Sequence, residues 1–415
     1  MTDSNQTRRA SRKAAASVPP VRHSRSKRPV ARRSVLGVIG IVLSVLLVSG
    51  GSVAAIAVWD LKNSAKTVSL GDKIPTIDAI EGGFNVMIVG SDTRNGQSNN
   101  YGENPGSTLN DVNMVIHVSK DHKNVTVVSI PRDMVVPIAE CDGGGGGWTG
   151  PINAVLSDGG LPCVVKTVEE LTGLKIPYAG LVTFDAVVGL SKVVGGVRVC
   201  VNAPIDDPYT GLKLSAGSHV LKGLSALQFL RTRHGVGDGS DLGRISNQQV
   251  FLSALMRKIK DEGVLTNPLT LYSVAKVMVS NMTLSTSLNS PDVLVSMAMA
   301  LKKIDLKNIV FVQYPGTTGG TGVYKGKVQP IESAAAALFE ALVADKPVVL
   351  TGGLGRGAQE DSAPAAKATT AATAKPTASG KATATPTPAT TVAPVTLDGD
   401  ITGQAADQYT CAKAN

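Results

Sequence analysis

From Ser34 to Trp59 the chain carries no charged side chain, and Val35–Val48 reads VLGVIGIVLSVLLV. A run of this kind leaves little choice of structure, because about 20 apolar residues coiled as a helix match the hydrocarbon core of a bilayer. It predicts one transmembrane helix over residues 34–59. A cleaved signal peptide is the competing reading, but the leader is long and basic and no small-residue cleavage site precedes a polar start, which favours a retained anchor. Residues 1–33 hold ten Lys or Arg and one acidic residue, Asp3. The positive-inside rule therefore predicts a basic cytoplasmic tail over 1–33 and places everything beyond Trp59 outside the cell membrane.

The same leader explains a net charge of +9 that would otherwise suggest a nucleic-acid partner. Of 41 basic and 32 acidic residues, ten and one lie in the leader, which leaves 31 of each in the rest of the chain. A balanced exterior excludes the basic face that nucleic-acid binding needs, so no nucleic-acid partner is expected. The positive end suits anionic membrane lipid instead.

Four cysteines, Cys141, Cys163, Cys200 and Cys411, are an even number in an oxidising compartment, and none sits at the spacing of a metal site. Disulfides are expected. Three connectivities are open; Cys141 with Cys163, which bracket a glycine-rich loop, is the first expectation, and Cys200 with Cys411 would follow.

Residues 60–80 read as a polar stalk and 81–350 as one extracytoplasmic folded domain. Residues 351–396 read as a disordered linker rich in Ala, Thr and Pro, since no aromatic residue occurs between Phe339 and Tyr409. Residues 397–415 form a tail that Cys411 can staple back. Within the domain, Phe84–Gly90, Val112–Val118 and Val125–Ile130 are short β-branched runs that predict strands. Val164–Thr172, Ser225–Phe229, Leu242–Lys260, Pro291–Lys302 and Ile331–Ala344 carry helical patterns, and Pro204–Pro208 reads as a turn. The fold class expected is α/β, or α+β in layers: a central mixed β-sheet flanked by helices, behind one N-terminal transmembrane helix.

Five segments hold the chemistry: Gly90-Ser91-Asp92-Thr93-Arg94, Leu109-Asn110-Asp111, Pro131-Arg132-Asp133, Arg231-Thr232-Arg233 and Asp241-Leu242-Gly243-Arg244. Each lies at the edge of an apolar or periodic stretch, where α/β sheets place ligands. Guanidiniums read phosphate, and carboxylates hold a hard cation. Asp92 and Arg94 share a face if the chain is extended. Arg231 and Arg233 form a parallel fork for a diphosphate if Leu230–His234 is extended, and diverge if it is helical. Arg244 and Gln248 sit one turn apart near a helix start, where the macrodipole adds to their pull on an anion. Each segment alone is also ordinary strand-edge charge. Gly143–Gly147 lacks the Gly-Lys-Ser/Thr of a phosphate loop, and no Gly-x-Ser-x-Gly elbow occurs.

In that order, behind one anchor, the five segments resemble the LytR-CpsA-Psr family of bacterial cell-envelope phosphotransferases. Supporting pieces are Ile152-Asn153-Ala154, Phe184-Asp185, Val194-Gly195-Gly196-Val197 and Leu221-Lys222-Gly223. The resemblance implies transfer of a glycopolymer, as its phosphoryl-sugar, from a polyprenyl pyrophosphate-linked glycan to a hydroxyl of peptidoglycan. It implies Mg²⁺, with Mn²⁺ an alternative, on Asp92 and Asp111. It places Arg94, Arg132, Arg231, Arg233, Arg244 and Gln248 on the pyrophosphate, with Arg132, Arg94, Asp111 and Arg231 as the catalytic set. Many relatives have Arg where this chain has Leu109 and Asn247, so two guanidiniums of the family pattern are missing. A lipid slot lined by the helices holding Val164, Val250 and Val293 is a further expectation, with plain core packing as its competitor. The other functional classes are a non-catalytic wall-binding or regulatory protein and a polyprenyl pyrophosphate hydrolase.

Overall fold

Phe84–Ser91 alternates between two cores: Met87 and Val89 belong to one, Val86 and Ile88 pack in the other. The neighbouring strand does the same, Val115 facing the first core and Met114 and Ile116 the second. A strand apolar on both faces must be covered on both faces, which explains why these runs lack polar alternation. Each fully buried side chain of this size contributes about 1.5–3 kcal/mol, an upper figure given a partly collapsed unfolded chain.

The computed structural model describes residues 60–61, 64–71, 82–94, 96–97, 101, 106, 108–142, 144–264, 267–361 and 393–415. The basic leader, the predicted span over 34–59 and linker residues 362–392 lie outside the described residues. No helix among those described is long and apolar enough to cross a membrane.

The central sheet has eight strands in the order Lys66–Val68, Met282–Ser285, Tyr178–Val182, Phe84–Ser91, Asn110–Val118, Val125–Ile130, Ile309–Gln313 and Gly403–Ala405. Three pairings are parallel and four antiparallel, so the sheet is mixed, as expected. The Val155–Thr172 and Glu332–Val343 helices supply one core, and the Pro268–Asn281 and Pro291–Lys303 helices supply the other. Helix Asp241–Asp261 is buried at every position from Asp241 to Phe251. A smaller sheet, Gly217–Leu221, Val197–Val201, Thr410–Ala412 and Ala358–Glu360, packs beside it. Val164, Val250 and Val293 are all buried, and Val164 and Val293 lie inside the two main cores, as the core-packing alternative expects.

The structure redraws both ends of the expected domain. Lys66–Val68, read as stalk, pairs in parallel with Met282–Ser285 as an edge strand. Past residue 350 the chain stays in the fold: Ala358–Glu360 and Val395–Leu397 are strands, and Gly403–Ala405 closes the edge of the central sheet. Gly352, Gly355 and Gly357, read as the start of a linker, are close-approach positions; a Cβ on Gly357 would lie 2.0 Å from the Gly243 carbonyl oxygen. The expected turn at Pro204–Pro208 contains a short strand, Ile205–Asp207, paired with Leu212–Leu214. Helices Phe184–Val193 and Pro268–Asn281 were absent from the sequence expectation.

Both expected disulfides are present, Cys141–Cys163 and Cys200–Cys411. The second joins adjacent parallel strands 211 residues apart in sequence. By the loop-entropy argument a closure of this length contributes about 5 kcal/mol. Cys411→Ser should therefore shift the denaturation midpoint downward by that free energy, and added reductant should shift the parent chain but leave this second bond's contribution absent from the variant.

Candidate functional site

The ends of two antiparallel strands begin the site. The Phe84–Ser91 and Asn110–Val118 pairing shifts register at Gly90/Ser91: Gly90 faces Val112 and Ser91 faces Asn110, so Asp111 is the extra residue of a bulge. A bulge re-aims the side chain it carries. Gly90 is required there, because a Cβ would come within 2.8 Å of the Val112 Cβ. Just past the bulge, Asp92 exchanges two bonds with Leu109: its N–H donates to the Leu109 carbonyl at 3.1 Å, and its Oδ1 accepts the Leu109 N–H at 2.7 Å. Burial raises the Asp92 pKa; the Leu109 bond opposes this, and the nearby Asp111 charge reinforces it.

Arg132 follows Pro131 at the end of the Val125–Ile130 strand. Its Nη1 donates to Asp111 Oδ1, and its backbone N–H donates to Asp241 Oδ2 at 2.9 Å. Asp241 is 3% exposed and opens the helix that Ser240 caps by accepting the Gly243 N–H. Arg244, one turn on, reaches back: Nη2 lies 2.6 Å from Asp241 Oδ1 and donates to the Asp111 carbonyl oxygen at 2.7 Å. Burial works against the Arg132 charge, yet Asp111, Asp133 and Asp241 hold its pKa above the usual value.

Arg231 and Arg233 do not form the expected parallel fork. Arg231 is the last residue of helix Leu224–Arg231, and the chain turns extended only at Thr232. The two guanidiniums part. Arg231 lies over the Phe184 ring at 4.5 Å, near Arg94, Asp111 and Asp92. Arg233 lies 3.8 Å from Asp133 Oδ2, near Arg132, Asp241 and Arg244. Burial, and then neighbouring arginines, lower the pKa of both. They remain charged and approach the cluster from two sides.

Gln248 does not face an open anion site. It is 5% exposed, and its Nε2 donates to the Leu230 carbonyl at 2.9 Å; Asn247 donates to the Phe229 carbonyl at 2.7 Å. These carbonyls belong to the end of the Arg231 helix, which otherwise lacks partners. Both amides are positioning groups that set where Arg231 and Arg233 emerge. Asn110 plays a similar part: fully buried, it donates to Asn113 Oδ1 and the Ile152 carbonyl and accepts the Leu156 N–H.

The structure thus gathers Asp92, Arg94, Asp111, Arg132, Arg231, Arg233 and Arg244, and gives specific contacts to three further residues of the segments named from sequence. Asp241 organises Arg132 and Arg244. Asp133 faces three cations, with Arg132 Nε at 3.6 Å, Arg233 Nη2 at 3.8 Å and Lys327 Nζ at 3.6 Å. Phe184 supports Arg231. Five arginines against Asp92, Asp111, Asp133 and Asp241 leave one positive charge, and Lys327 makes two. The Nε atoms of Arg94, Arg132, Arg233 and Arg244 are buried without a hydrogen-bond partner. Unpaired buried donors are costly, and an anion with several acceptor oxygens would satisfy them.

Known proteins similar to this chain share its family and its fold. Residues 56–340 match the LytR_cpsA_psr family. The cell wall biosynthesis protein LcpA of Corynebacterium glutamicum is 30% identical over 332 residues, which are 72% of this chain and 63% of LcpA. The chain therefore spans less than two thirds of that relative. The polyisoprenyl-teichoic acid–peptidoglycan teichoic acid transferase TagT of Bacillus subtilis is 29% identical over 253 residues, 58% of this chain and 74% of TagT. Protein gbs0355 from Streptococcus agalactiae has the same fold, with a TM-score of 0.54 and 20% identity over 66% of this chain and 91% of that one.

Two substitutions separate the roles of the carboxylates. Asp241→Ala strands the Arg132 amide and the Arg244 guanidinium in the interior and should destabilise the protein by about 3–5 kcal/mol in chemical denaturation. Asp92→Asn should do the reverse. A raised folded-state pKa means that ionised Asp92 opposes folding above its unfolded pKa, and that this penalty disappears as pH falls through the folded pKa. In chelator at pH 7 the Asp92→Asn melting temperature should exceed that of the parent, and the gap should close on acidification.

Proposed function

The chain belongs to the LytR-CpsA-Psr family, and on that premise we propose that it transfers a phosphoryl-linked glycopolymer from a polyprenyl pyrophosphate carrier to a hydroxyl of peptidoglycan. The observation that carries the reading is the set of four buried guanidinium Nε atoms without a hydrogen bond, on Arg94, Arg132, Arg233 and Arg244, around a cluster with surplus positive charge. A pyrophosphate supplies the negative charge and the acceptor oxygens that this arrangement lacks.

In this reading the acceptor oxygen forms a bond to the phosphorus next to the sugar as the bridging P–O bond breaks, and the carrier leaves as polyprenyl phosphate. Charge spreads over the phosphoryl oxygens during the step, where fixed guanidiniums stabilise it without reorganising. Arg132 is the best-fixed of them, held at its amide by Asp241 and at its guanidinium by Asp111. Arg231, pinned on Phe184, serves the opposite side. The hydroxyl proton passes to a carboxylate of the cluster, Asp111 or Asp92. The energy resides in the pyrophosphate bond, so no nucleotide is needed.

Asp92 and Asp111 also fit a hard divalent cation such as Mg²⁺ or Mn²⁺. Two carboxylates close enough to raise the Asp92 pKa are relieved by a cation between them. Among the described residues no third protein ligand joins them. That suits Mg²⁺, which takes one or two carboxylates and completes its shell with water and phosphate oxygens. When bound, the cation would neutralise phosphate charge. The wall-facing setting rests on the apolar run over 34–59, proposed here as a single-pass membrane anchor with the domain outside.

The test uses the full chain, because the fold includes residues 393–415. Supplied with Mg²⁺, a polyprenyl pyrophosphate-linked glycan and peptidoglycan, it should release polyprenyl phosphate and attach the glycan. Arg132→Ala should lower kcat by about 10²–10³, the range for losing one preorganised charge-stabilising donor. Release without attachment would make it a hydrolase, and unchanged turnover in Arg132→Ala would remove this site from the chemistry.

A further inference from the structure

Aromatic residues make up only 4% of the chain, and most of those described are buried or covered. Tyr209 is 77% exposed. Tyr409, the next most exposed tyrosine at 58%, has its ring covered by the Arg257 guanidinium at 4.6 Å. Tyr209 instead lies against exposed His234, with ring centroids 4.3 Å apart and planes inclined by 35°. One face of the ring is thereby steadied, and its exposure leaves the other to solvent.

The backbone beneath this pair is fixed with unusual care for a surface turn. Asp207 is fully buried. Its Oδ1 accepts the Tyr209 N–H at 3.0 Å, while its Oδ2 accepts the Thr232 hydroxyl and the Arg233 N–H, the latter at 3.2 Å. Burial works against the Asp207 charge, but these bonds hold the carboxyl below its usual range. One ionised carboxylate therefore locks the turn bearing Tyr209 to the segment bearing Arg233 and His234. Arg233 in turn points at Asp133 inside the arginine cluster. Asp206 and Lys213, exposed and paired at 2.9 Å, lie on the two short strands that flank the turn.

We propose that Tyr209 and His234 form a stacking platform for a pyranose ring of a glycan, at the rim of the phosphate-reading cluster. The C–H face of a pyranose is apolar and flat enough to lie on an aromatic ring, while its hydroxyls need polar neighbours at the edge, which Asp206, Lys213 and His234 provide. The inference rests on the glycopolymer-transfer reading, in which the ring belongs either to the donor glycan or to the acceptor strand.

The experiment uses the full chain with a polyprenyl pyrophosphate-linked glycan as donor and soluble peptidoglycan glycan strands as acceptor, each varied separately. Tyr209→Ala should raise KM for the glycan that sits on the platform by about 3- to 10-fold, with kcat within about twofold of the parent. Tyr209→Phe should keep the parent KM, because the ring face is what binds. A rise confined to donor KM or to acceptor KM identifies which glycan is seated. Both KM values within twofold of the parent in Tyr209→Ala would overturn the platform while leaving the transfer reading intact. If the parent chain turns nothing over, the transfer reading fails, and the platform is then decided by titrating the same glycan strands: binding lost in Tyr209→Ala supports it, and equal or no binding overturns it.

Discussion

Five guanidiniums cannot be drawn into a half-buried cleft unless negative charge is drawn in with them, and the placement of that negative charge decides most of this site. Asp241 is the central case. A carboxylate at the first turn of a buried helix is favoured by the helix dipole, and here it accepts from the Arg132 amide while contacting Arg244. Two elements distant in sequence, the end of the Val125–Ile130 strand and the Asp241 helix, are tied at one point. The bulge at Asp111 then brings a second carboxylate to Arg132 and Arg244. Remove either acid and the arginines lose both their compensation and their geometry.

The compensation is incomplete in a way that matters. The carboxylates lie closest to the terminal Nη atoms of Arg132, Arg233 and Arg244, whereas the inner Nε donors of these and of Arg94 make no hydrogen bond, Arg132 Nε having only ion-pair contacts at 3.6 and 3.9 Å. Raised Asp92 and lowered Arg231 and Arg233 pKa values point the same way: burial and like charge are tolerated where a ligand of opposite sign would remove the strain.

Much of this was legible in the sequence, and the part that was not has physical causes. The three central strands were visible because covering on both faces makes continuous β-branched runs, and the Arg and Asp segments stood out at their ends. Helix Phe184–Val193 was hidden by its valines, although Thr183 does act as its cap, accepting the Ala186 N–H. Helix Pro268–Asn281 announced itself by Asn267 and Pro268, a cap followed by a first-turn proline, and that signal was passed over. The glycines after Thr351 look like linker because composition cannot distinguish a glycine chosen for freedom from one chosen for close approach. The roles of Asp241, Gln248 and Asn247 depend on which backbone groups lie opposite them, which no local pattern encodes.

The absence of a guanidinium at position 247 has a structural reason. Position 247 is fully buried, and Asn247 spends its amide on the Phe229 carbonyl beside the bond from Gln248 to Leu230. Two adjacent side chains of one helix thus cap two successive carbonyls at the end of another. An arginine at 247 would have to leave this cap or bury a further positive charge near Arg231, whose pKa is already lowered by burial and by Arg94. The short amide favours a fixed helix end over an extra cation, and the precision of Arg231 and Arg233 follows from that choice. Downstream, the chain reinforces it. Gly237 donates to the Lys413 carbonyl and Val236 bridges to Ala414, so the strand tied through Cys411 to Cys200 also holds the loop that runs from Arg233 to the Asp241 helix.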